Sequence, residues 1–348
     1  MSIKLKKLFL LSKKFEGVLF IDKSNNGFYN TFLKNFKIVS KLVYYMIPFK
    51  IRHGIQEKFI IKQYKNYSDF HSVYFELRTK CNSRCNFCKA SIHTEDRPDI
   101  TMNFKLYEKI INELAHNQYN GNISFFVNNE PFLVKDLKKF IEYASLKLPN
   151  SNLKLLSNGI KLNYISGKEI FDSGLTELEI NWYLGNTKQN VSNGIKNFED
   201  KFLKNDLKMS KVNYYNVFKY KGKQRYYYKL LRHIGEKLNS RGGSSPNWKD
   251  NELIYDGFCS YPFWQINIKA DGSVGQCCAD FYLDNTKLNC NFLSIYEIWN
   301  SDFFKNLRYE LLKGDRSKNN LCKKCDFFGE NFRRSESKFG KFLSAILN

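Results

Sequence analysis

The sequence predicts an α/β fold built on a parallel sheet that closes only partway into a barrel. Between residues 71 and 250, strand-like segments alternate with segments of helical periodicity, which is the pattern of a parallel sheet. At roughly 30 residues for each strand–helix unit, this stretch holds about six units, fewer than the eight of a closed barrel. A smaller, cysteine-containing region follows at 251–330.

Five strands of this sheet can be located from short segments rich in apolar residues. They are Ser72–Thr79, Asn122–Val127, Leu153–Leu156, Glu177–Tyr183 and Lys211–Phe218. Helical periodicity lies between them, most clearly at Leu137, Phe140, Ile141 and Ala144. The sixth strand has no clear segment. Because active sites of such barrels lie at the carboxyl ends of the strands, we expect the chemistry in the loops that follow them.

A basic, aromatic-rich leader at 1–70 precedes the barrel, and a tail at 331–348 ends the chain. The formal charge is +22, and the leader contains 14 Lys or Arg against 4 Asp or Glu. Its apolar residues recur at helical spacing before Pro48, at Phe32, Phe36, Val39, Val43 and Ile47. Such a basic amphipathic helix either lies on an anionic membrane or packs on its own domain.

The remaining composition favours a cytoplasmic protein. The sequence has neither a secretory signal nor a run of about 18 apolar residues that would span a membrane. Clustered cysteines in such a chain more often bind metal than form disulfides. Lysine, asparagine, isoleucine, phenylalanine and tyrosine are all abundant, which a compositional bias would also produce, so the charge alone does not indicate a nucleic-acid partner.

The organising motif is a group of three cysteines, Cys81, Cys85 and Cys88, directly after the first predicted strand. Soft thiolate ligands select iron–sulfur clusters, zinc or Cu(I). A four-iron cluster usually takes four cysteines, so three would leave one iron open to chemistry. Zinc is the alternative, with His93 completing a Cys3His set. The order of strand, cysteine loop and helix favours the first unit of a barrel over a small zinc module.

The CxxxCxΦC spacing, with Phe87 before the third cysteine, resembles the signature of the radical S-adenosylmethionine (SAM) superfamily. The resemblance implies a catalytic 4Fe-4S cluster whose open iron binds SAM, an incomplete (β/α)6-type barrel, and an external electron donor such as flavodoxin or ferredoxin. SAM cleavage would then yield a 5′-deoxyadenosyl radical that takes a hydrogen atom from the substrate.

Three further segments fit the same edge of the predicted sheet. The Asn128-Asn129-Glu130-Pro131 segment after the second strand resembles the Gly-Gly-Glu-Pro motif that holds the SAM amino group in this superfamily. Both glycines are Asn here, a residue that tolerates unusual backbone angles. After the third strand, Asn158 belongs to a Ser-Asn-Gly turn similar to one in the superfamily, and Asn181 on the fourth strand is a further predicted SAM contact.

A second group of cysteines occupies the C-terminal region, after an apparent linker at 241–247. A predicted hairpin with its turn at 270–272, a helical stretch at 294–312 and a final CxxC resemble the SPASM or twitch domains of radical SAM enzymes. The resemblance implies a second, auxiliary 4Fe-4S cluster held by Cys259, Cys277, Cys322 and Cys325. Cys278 and Cys290 are left without a role, and a zinc ribbon is the alternative.

The resemblance therefore favours dehydrogenation of a small or sugar-like substrate, because a fully ligated auxiliary cluster suits electron transfer. The alternatives are a maturase that cross-links a ribosomal peptide, and a non-catalytic zinc-stabilised protein that binds nucleic acid or a membrane. The sequence alone identifies neither the substrate nor a general base.

Overall fold

A computed structural model describes residues 69–184, 190–212, 215–234, 240–246, 257–283 and 287–327. They belong to one compact unit, Asn66–Glu330. The predicted leader helix and the tail lie outside the described residues, so both remain predictions from the sequence.

The strands and helices alternate along most of the chain. The strands are β1 (Ser72–Phe75), β2 (Asn122–Ser124), β3 (Asn152–Ser157), β4 (Glu177–Leu184), β5 (Tyr215–Tyr220), β6 (Lys223–Ile234), β7 (Gln265–Ile268) and β8 (Val274–Gly275). The α-helices are α1 (Phe104–His116), α2 (Leu137–Lys147), α3 (Tyr164–Asp172), α4 (Asn190–Phe198), α5 (Ile295–Trp299) and α6 (Asp302–Leu312). A π-helical segment, Glu199–Asp206, follows α4 directly.

In the described part of the chain, the eight strands form one sheet in the order β5-β6-β4-β3-β2-β1-β7-β8. The six strands from β6 to β7 in this order run parallel, while β5 and β8 pair antiparallel at the two ends. The predicted α/β fold with about six parallel strands is confirmed, and the order has two free ends, as an incomplete barrel requires.

The fifth predicted strand, Lys211–Phe218, was placed wrongly in the parallel sheet. The strand in this region is β5, which forms an antiparallel hairpin with β6, and β6 is the strand that runs parallel to β4. The two-residue turn explains the difference. Lys221 and Gly222 both have positive φ, +45° and +72°, as a type I′ hairpin turn requires.

The sixth parallel strand is β7, which belongs to the cysteine-rich C-terminal region. It pairs with β1 over its whole length, from Ser72 opposite Gln265 to Phe75 opposite Ile268. The predicted hairpin is confirmed, because β7 and β8 pair antiparallel across a turn that contains Gly272 at φ +87°. The C-terminal region therefore completes the core sheet as well as carrying its own cysteines.

Helices α1 and α2 pack on one face of the sheet through apolar stripes that the sequence predicts. Helix α1 begins at the cap Asn103, whose side chain accepts a hydrogen bond from the amide of Lys105. It buries Leu106, Tyr107, Ile110, Ile111 and Leu114. The Tyr107 ring lies 5.0 Å from that of Phe75, and its hydroxyl donates to the carbonyl of Phe140 on α2. Alternate residues of β1, including Glu76 just beyond it, therefore face the opposite, inner side.

Candidate active site

The loops at the carboxyl ends of β1 to β4 line one cavity that opens to solvent. All eight residues that the sequence assigns to the catalytic cluster or to SAM lie on its wall: Cys81, Cys85, Phe87, Cys88, Asn129, Glu130, Asn158 and Asn181. Four separate stretches of sequence thus meet at one place, because parallel strands bring their following loops to the same edge.

The cysteine loop is curled by its own hydrogen bonds. The amide of Cys88 donates to the carbonyl of Cys85, and the amide of Ile92 donates back to the carbonyl of Ser83. The Ser83 hydroxyl lies 3.0 Å from the sulfur of Cys85, which is 4% exposed. His93 is exposed and is not among the residues that line the cavity. The alternative Cys3His zinc set is therefore not assembled here.

Cys81 lies in a setting that favours a bound cationic centre. Burial, with the nearby Glu130 charge, raises the pKa of the Cys81 thiol to about 12. The side-chain amide of Asn158 lies 3.6 Å from its sulfur and donates to Oδ1 of Asn82 at 2.9 Å. A metal centre would hold such a thiol deprotonated, and hydrogen bonds to sulfur tune iron–sulfur clusters. The site therefore fits the predicted cluster.

Glu130 is a buried carboxylate fixed by three hydrogen bonds. It accepts from the Ser157 hydroxyl at 2.7 Å, from the Asn158 amide at 2.8 Å and from the Phe132 amide at 3.1 Å. Burial raises the pKa of Glu130 to about 7 despite these donors. In the part of the chain that is described, no Lys or Arg forms an ion pair with it. A cationic group such as the SAM amino group would offset this burial cost.

The two asparagines before Glu130 act through their side chains. Neither residue has positive φ. The prediction that Asn stands here because it tolerates unusual backbone angles is therefore wrong. Oδ1 of Asn129 accepts from the amide of Val127, which closes the turn, while its Nδ2 is buried without a partner. The Asn128 side chain accepts from the guanidinium of Arg241. Pro131 begins a short 3-10 helix, as its position predicts.

Phe87 and Asn181 form part of the wall on the β4 side. The Phe87 ring is 2% exposed and lies edge-on to the Tyr183 ring at 5.0 Å. Asn181 is 7% exposed, on the same inner face of β4 as Tyr183. Both side chains are therefore buried in the wall of the cavity.

A second cavity is lined by all four cysteines predicted for the auxiliary cluster, Cys259, Cys277, Cys322 and Cys325. Burial raises the pKa of Cys259 to about 11 and raises the pKa values of Cys277 and Cys322 further. The side-chain amide of Gln276 lies 3.6 Å from the Cys322 sulfur. Four thiols that line one cavity fit a fully ligated cluster.

Two residues that the sequence left without a role line both cavities. They are Arg241, which the sequence placed in a linker, and Cys278, the neighbour of Cys277. The guanidinium of Arg241 donates to the carbonyl of Cys278 at 2.9 Å. No local pattern predicts this, because the two residues meet only through the tertiary fold. Cys290 is fully buried but lies on the wall of neither cavity.

A network of buried charged side chains supports the loops of the candidate active site. Arg97 pairs with Glu76 and Glu95 at 2.8 and 2.9 Å and donates to the backbone carbonyl of Asn128. The Lys269 ammonium lies 3.6 Å from Glu76, and burial lowers the pKa of Lys269. The Arg97 guanidinium also stacks 3.9 Å over the Phe281 ring. The network ties the Asn128 turn to the C-terminal hairpin, because Arg97 contacts the turn and Lys269 follows β7 in the hairpin.

Comparison with known proteins gives the same assignment. Residues 259–326 match the model of the SPASM family, an iron–sulfur cluster-binding domain. The S-adenosyl-L-methionine-dependent 2-deoxy-scyllo-inosamine dehydrogenase of Niallia circulans is 25% identical over 257 residues, which cover 74% of this chain and 93% of that protein.

Two crystal structures share the fold. One is BtrN in complex with AdoMet and 2-DOIA, with a TM-score of 0.61 and 21% identity over 78% of this chain and 99% of that chain. The other is BtrN in an open conformation, with a TM-score of 0.53 and 20% identity over 75% and 94% of the two chains.

Among the described residues, no helix is long and apolar enough to cross a membrane. The three-cysteine loop at the first strand, the shared fold and the cluster-binding domain agree, and they imply two 4Fe-4S clusters and SAM as cofactors. The chain has the fold and the cysteine loop of a radical SAM enzyme, and residues 259–326 match an iron–sulfur cluster-binding domain of the SPASM family.

Proposed function

We propose that this protein oxidises an alcohol of a small, sugar-like substrate to a ketone. The observation that carries the proposal is that the two cysteine-lined cavities share a wall, formed in part by Arg241 and Cys278. A substrate beside this wall would be close both to the place where a hydrogen atom is removed and to an electron acceptor. The name of the Niallia circulans relative, a dehydrogenase of a deoxyinosamine, supports this reaction class.

The residue roles follow from the cavity walls. Cys81, Cys85 and Cys88 would hold the catalytic cluster, and Cys259, Cys277, Cys322 and Cys325 the auxiliary one. Glu130 would bind the SAM amino group, Asn158 would orient Cys81, and Asn129, Asn181 and Phe87 would shape the SAM site. When bound, the catalytic cluster and SAM supply a 5′-deoxyadenosyl radical, and the auxiliary cluster supplies a one-electron acceptor.

The oxidation balances with one SAM consumed. The substrate carbon would give up a hydrogen atom to the 5′-deoxyadenosyl radical that bound SAM supplies. The carbon would then lose one electron to the auxiliary acceptor and its hydroxyl a proton to water, which would leave a carbonyl. The polar wall that Asn128, Asn181, Tyr183 and Arg241 present suits a polyhydroxylated substrate. We further propose that flavodoxin or ferredoxin supplies the electron that starts each turnover.

The test uses candidate cyclitols and sugar alcohols, beginning with 2-deoxy-scyllo-inosamine, deuterated at the carbinol carbon. We expect deuterium in 5′-deoxyadenosine and a product two mass units lighter than unlabelled substrate. A methylated product, or an isomer formed with regeneration of SAM, would contradict the proposal. Cross-linking of a precursor peptide would favour the maturase alternative.

A further inference from the structure

The segment Ser240–Ser245, hereafter the bridging segment, has hydrogen bonds to both cysteine loops. Three successive residues in it, Arg241, Gly242 and Gly243, have positive φ, +47°, +64° and +87°. Positive φ is costly for Arg, so the surrounding contacts must hold this conformation. A side-chain carbon on Gly242 would clash with Leu321, lying 2.6 Å from its Cγ. The segment is therefore fitted closely against the final cysteine turn.

Its first residue anchors the auxiliary cysteines. Ser240 is fully buried; its amide donates to Oδ1 of Asp326 at 2.7 Å, and its hydroxyl donates to the carbonyl of Lys324 at 2.9 Å. The amide of Asp326 in turn lies 3.0 Å from the Ser240 hydroxyl oxygen. Lys324 and Asp326 flank Cys325, so the bonds to the Lys324 carbonyl and from the Asp326 amide fix the backbone on both sides of one predicted ligand.

Its last residue anchors the catalytic cysteines. Ser245 is 4% exposed, and its hydroxyl donates to the carbonyl of Phe87 at 2.9 Å. Phe87 lies between Cys85 and Cys88 in the sequence, so this bond reaches the centre of the catalytic loop. Six residues therefore join two loops that are more than 230 positions apart in the chain.

The middle of the segment contacts the wall between the cavities. Arg241 donates to the side chain of Asn128, in the loop that carries Glu130, and to the carbonyl of Cys278. Nη2 of Arg241 is the donor in both bonds. The Arg241 side chain thus links the loop that carries Glu130, the wall between the two cavities, and the hairpin that carries Cys277.

We infer that Ser240 and Ser245 are positioning residues, and that the bridging segment sets the distance between the two cluster loops. The inference rests on the proposed function. Only a reaction in which the substrate passes an electron to the auxiliary site needs a fixed distance between the two cluster loops. Electron transfer slows steeply as its distance grows. A loosened segment should therefore leave more substrate radicals unoxidised, without removing a ligand from either site.

The first experiment needs no substrate. Hydrogen exchange is compared in the cluster-loaded wild type and in Ser245→Ala, Ser240→Ala and Ser244→Ala. Loss of one buried hydrogen bond should make local exchange about two- to tenfold faster. A bridging role predicts that Ser245→Ala speeds exchange both at 81–88 and at 322–326, and that Ser240→Ala does the same. Ser244 is the matched control, because among the described residues its hydroxyl bonds only to the carbonyl of Arg241, within the segment.

If each variant loosens only its own loop, the bridging role is wrong. The second readout is the ratio of 5′-deoxyadenosine to oxidised product, which should rise at least twofold in the two anchor variants and not in the control. Iron content should stay unchanged in all three. If the wild type forms no oxidised product, but hydrogen exchange in the two loops still changes together, the proposed function would be wrong and the coupling of the loops would stand. An unchanged ratio despite linked exchange would overturn the positioning role.

Discussion

The backbone amide of Asn158 donates a hydrogen bond of 2.8 Å to the buried carboxylate of Glu130. This bond joins the loop after β2 to the loop after β3, and the side chain of the same Asn158 reaches the sulfur of Cys81. The predicted SAM-binding carboxylate and the predicted cluster ligand are therefore connected through one residue. A change at Glu130 should affect SAM before it affects iron.

Glu130→Gln should weaken SAM binding by about 10- to 100-fold, because a hydrogen bond to a charged group contributes roughly 1.5–3 kcal/mol. In the variant one oxygen becomes an NH2 group, which would face donors on Ser157, Asn158 or Phe132. Calorimetric titration of the reconstituted protein with SAM measures the effect. Glu142→Gln, at an exposed position of α2, is the control. Equal affinities in both variants would remove Glu130 from the SAM site.

Cys85→Ala should abolish formation of 5′-deoxyadenosine by reduced, anaerobic protein. Removing one of three ligands leaves the catalytic cluster unanchored, so about four irons should also be lost. Cys290→Ser is the matched control, because Cys290 is equally buried but lines neither cavity. Undiminished SAM cleavage in Cys85→Ala would show that this loop does not hold the catalytic centre.

The sequence predicts the catalytic edge well because each motif there follows its own strand. The Cys81 loop, Glu130 and Asn158 come directly after β1, β2 and β3, and parallel pairing alone brings them together. These positions depend on local pattern and on one rule of topology, so no knowledge of side-chain packing is needed to group them.

Contacts between distant segments could not be predicted in the same way. The pairing of β7 with β1 joins positions almost 200 residues apart, and β7 alone is an ordinary short apolar segment. Arg241 is similar, since a stretch rich in glycine and serine is typical of a linker. Its contacts with Asn128 and Cys278 depend on the packing of two distant loops. Tertiary contacts, rather than local propensity, decide both cases.

Gly121→Ala should destabilise the protein by about 2–3 kcal/mol, the cost of overpacking at a site that cannot relax. A side-chain carbon there would clash with the backbone carbonyl of His71 and lie 2.5 Å from the Tyr119 hydroxyl. The His71 carbonyl accepts from the amide of Asn122, and the Tyr119 hydroxyl donates to the carbonyls of His71 and Asn122, so the clash falls where β1 and β2 begin to pair. These two strands carry the SAM-site loops. Gly222→Ala, at φ +72° and with no atom of the described residues within 4 Å of the added carbon, should cost only about 1–2 kcal/mol. Urea denaturation of both variants measures the difference, and equal losses would contradict the steric argument.

The leader provides a prediction that rests on sequence alone. If its basic amphipathic segment lies on a membrane, liposomes containing anionic lipid should sediment the protein, and salt should weaken this binding by screening. Liposomes of neutral lipid are the control, since they lack the charge that would attract the leader. Failure to sediment at low salt would leave packing on the protein's own domain as the explanation for the stripe.

Replacing Cys322 and Cys325 together should separate the two centres. Both line the second cavity and neither lines the first, so the variant should hold about four irons where the wild type holds about eight. SAM cleavage without substrate should largely persist, because the catalytic loop keeps its three cysteines. Oxidised product should not form, since the substrate radical would lack its electron acceptor.

The Cys290→Ser protein again controls for loss of a buried thiol. Equal iron content in the double variant and the wild type would show that the C-terminal cysteines hold no cluster. Normal product formation by a variant with half the iron would show that this cluster is not the electron acceptor.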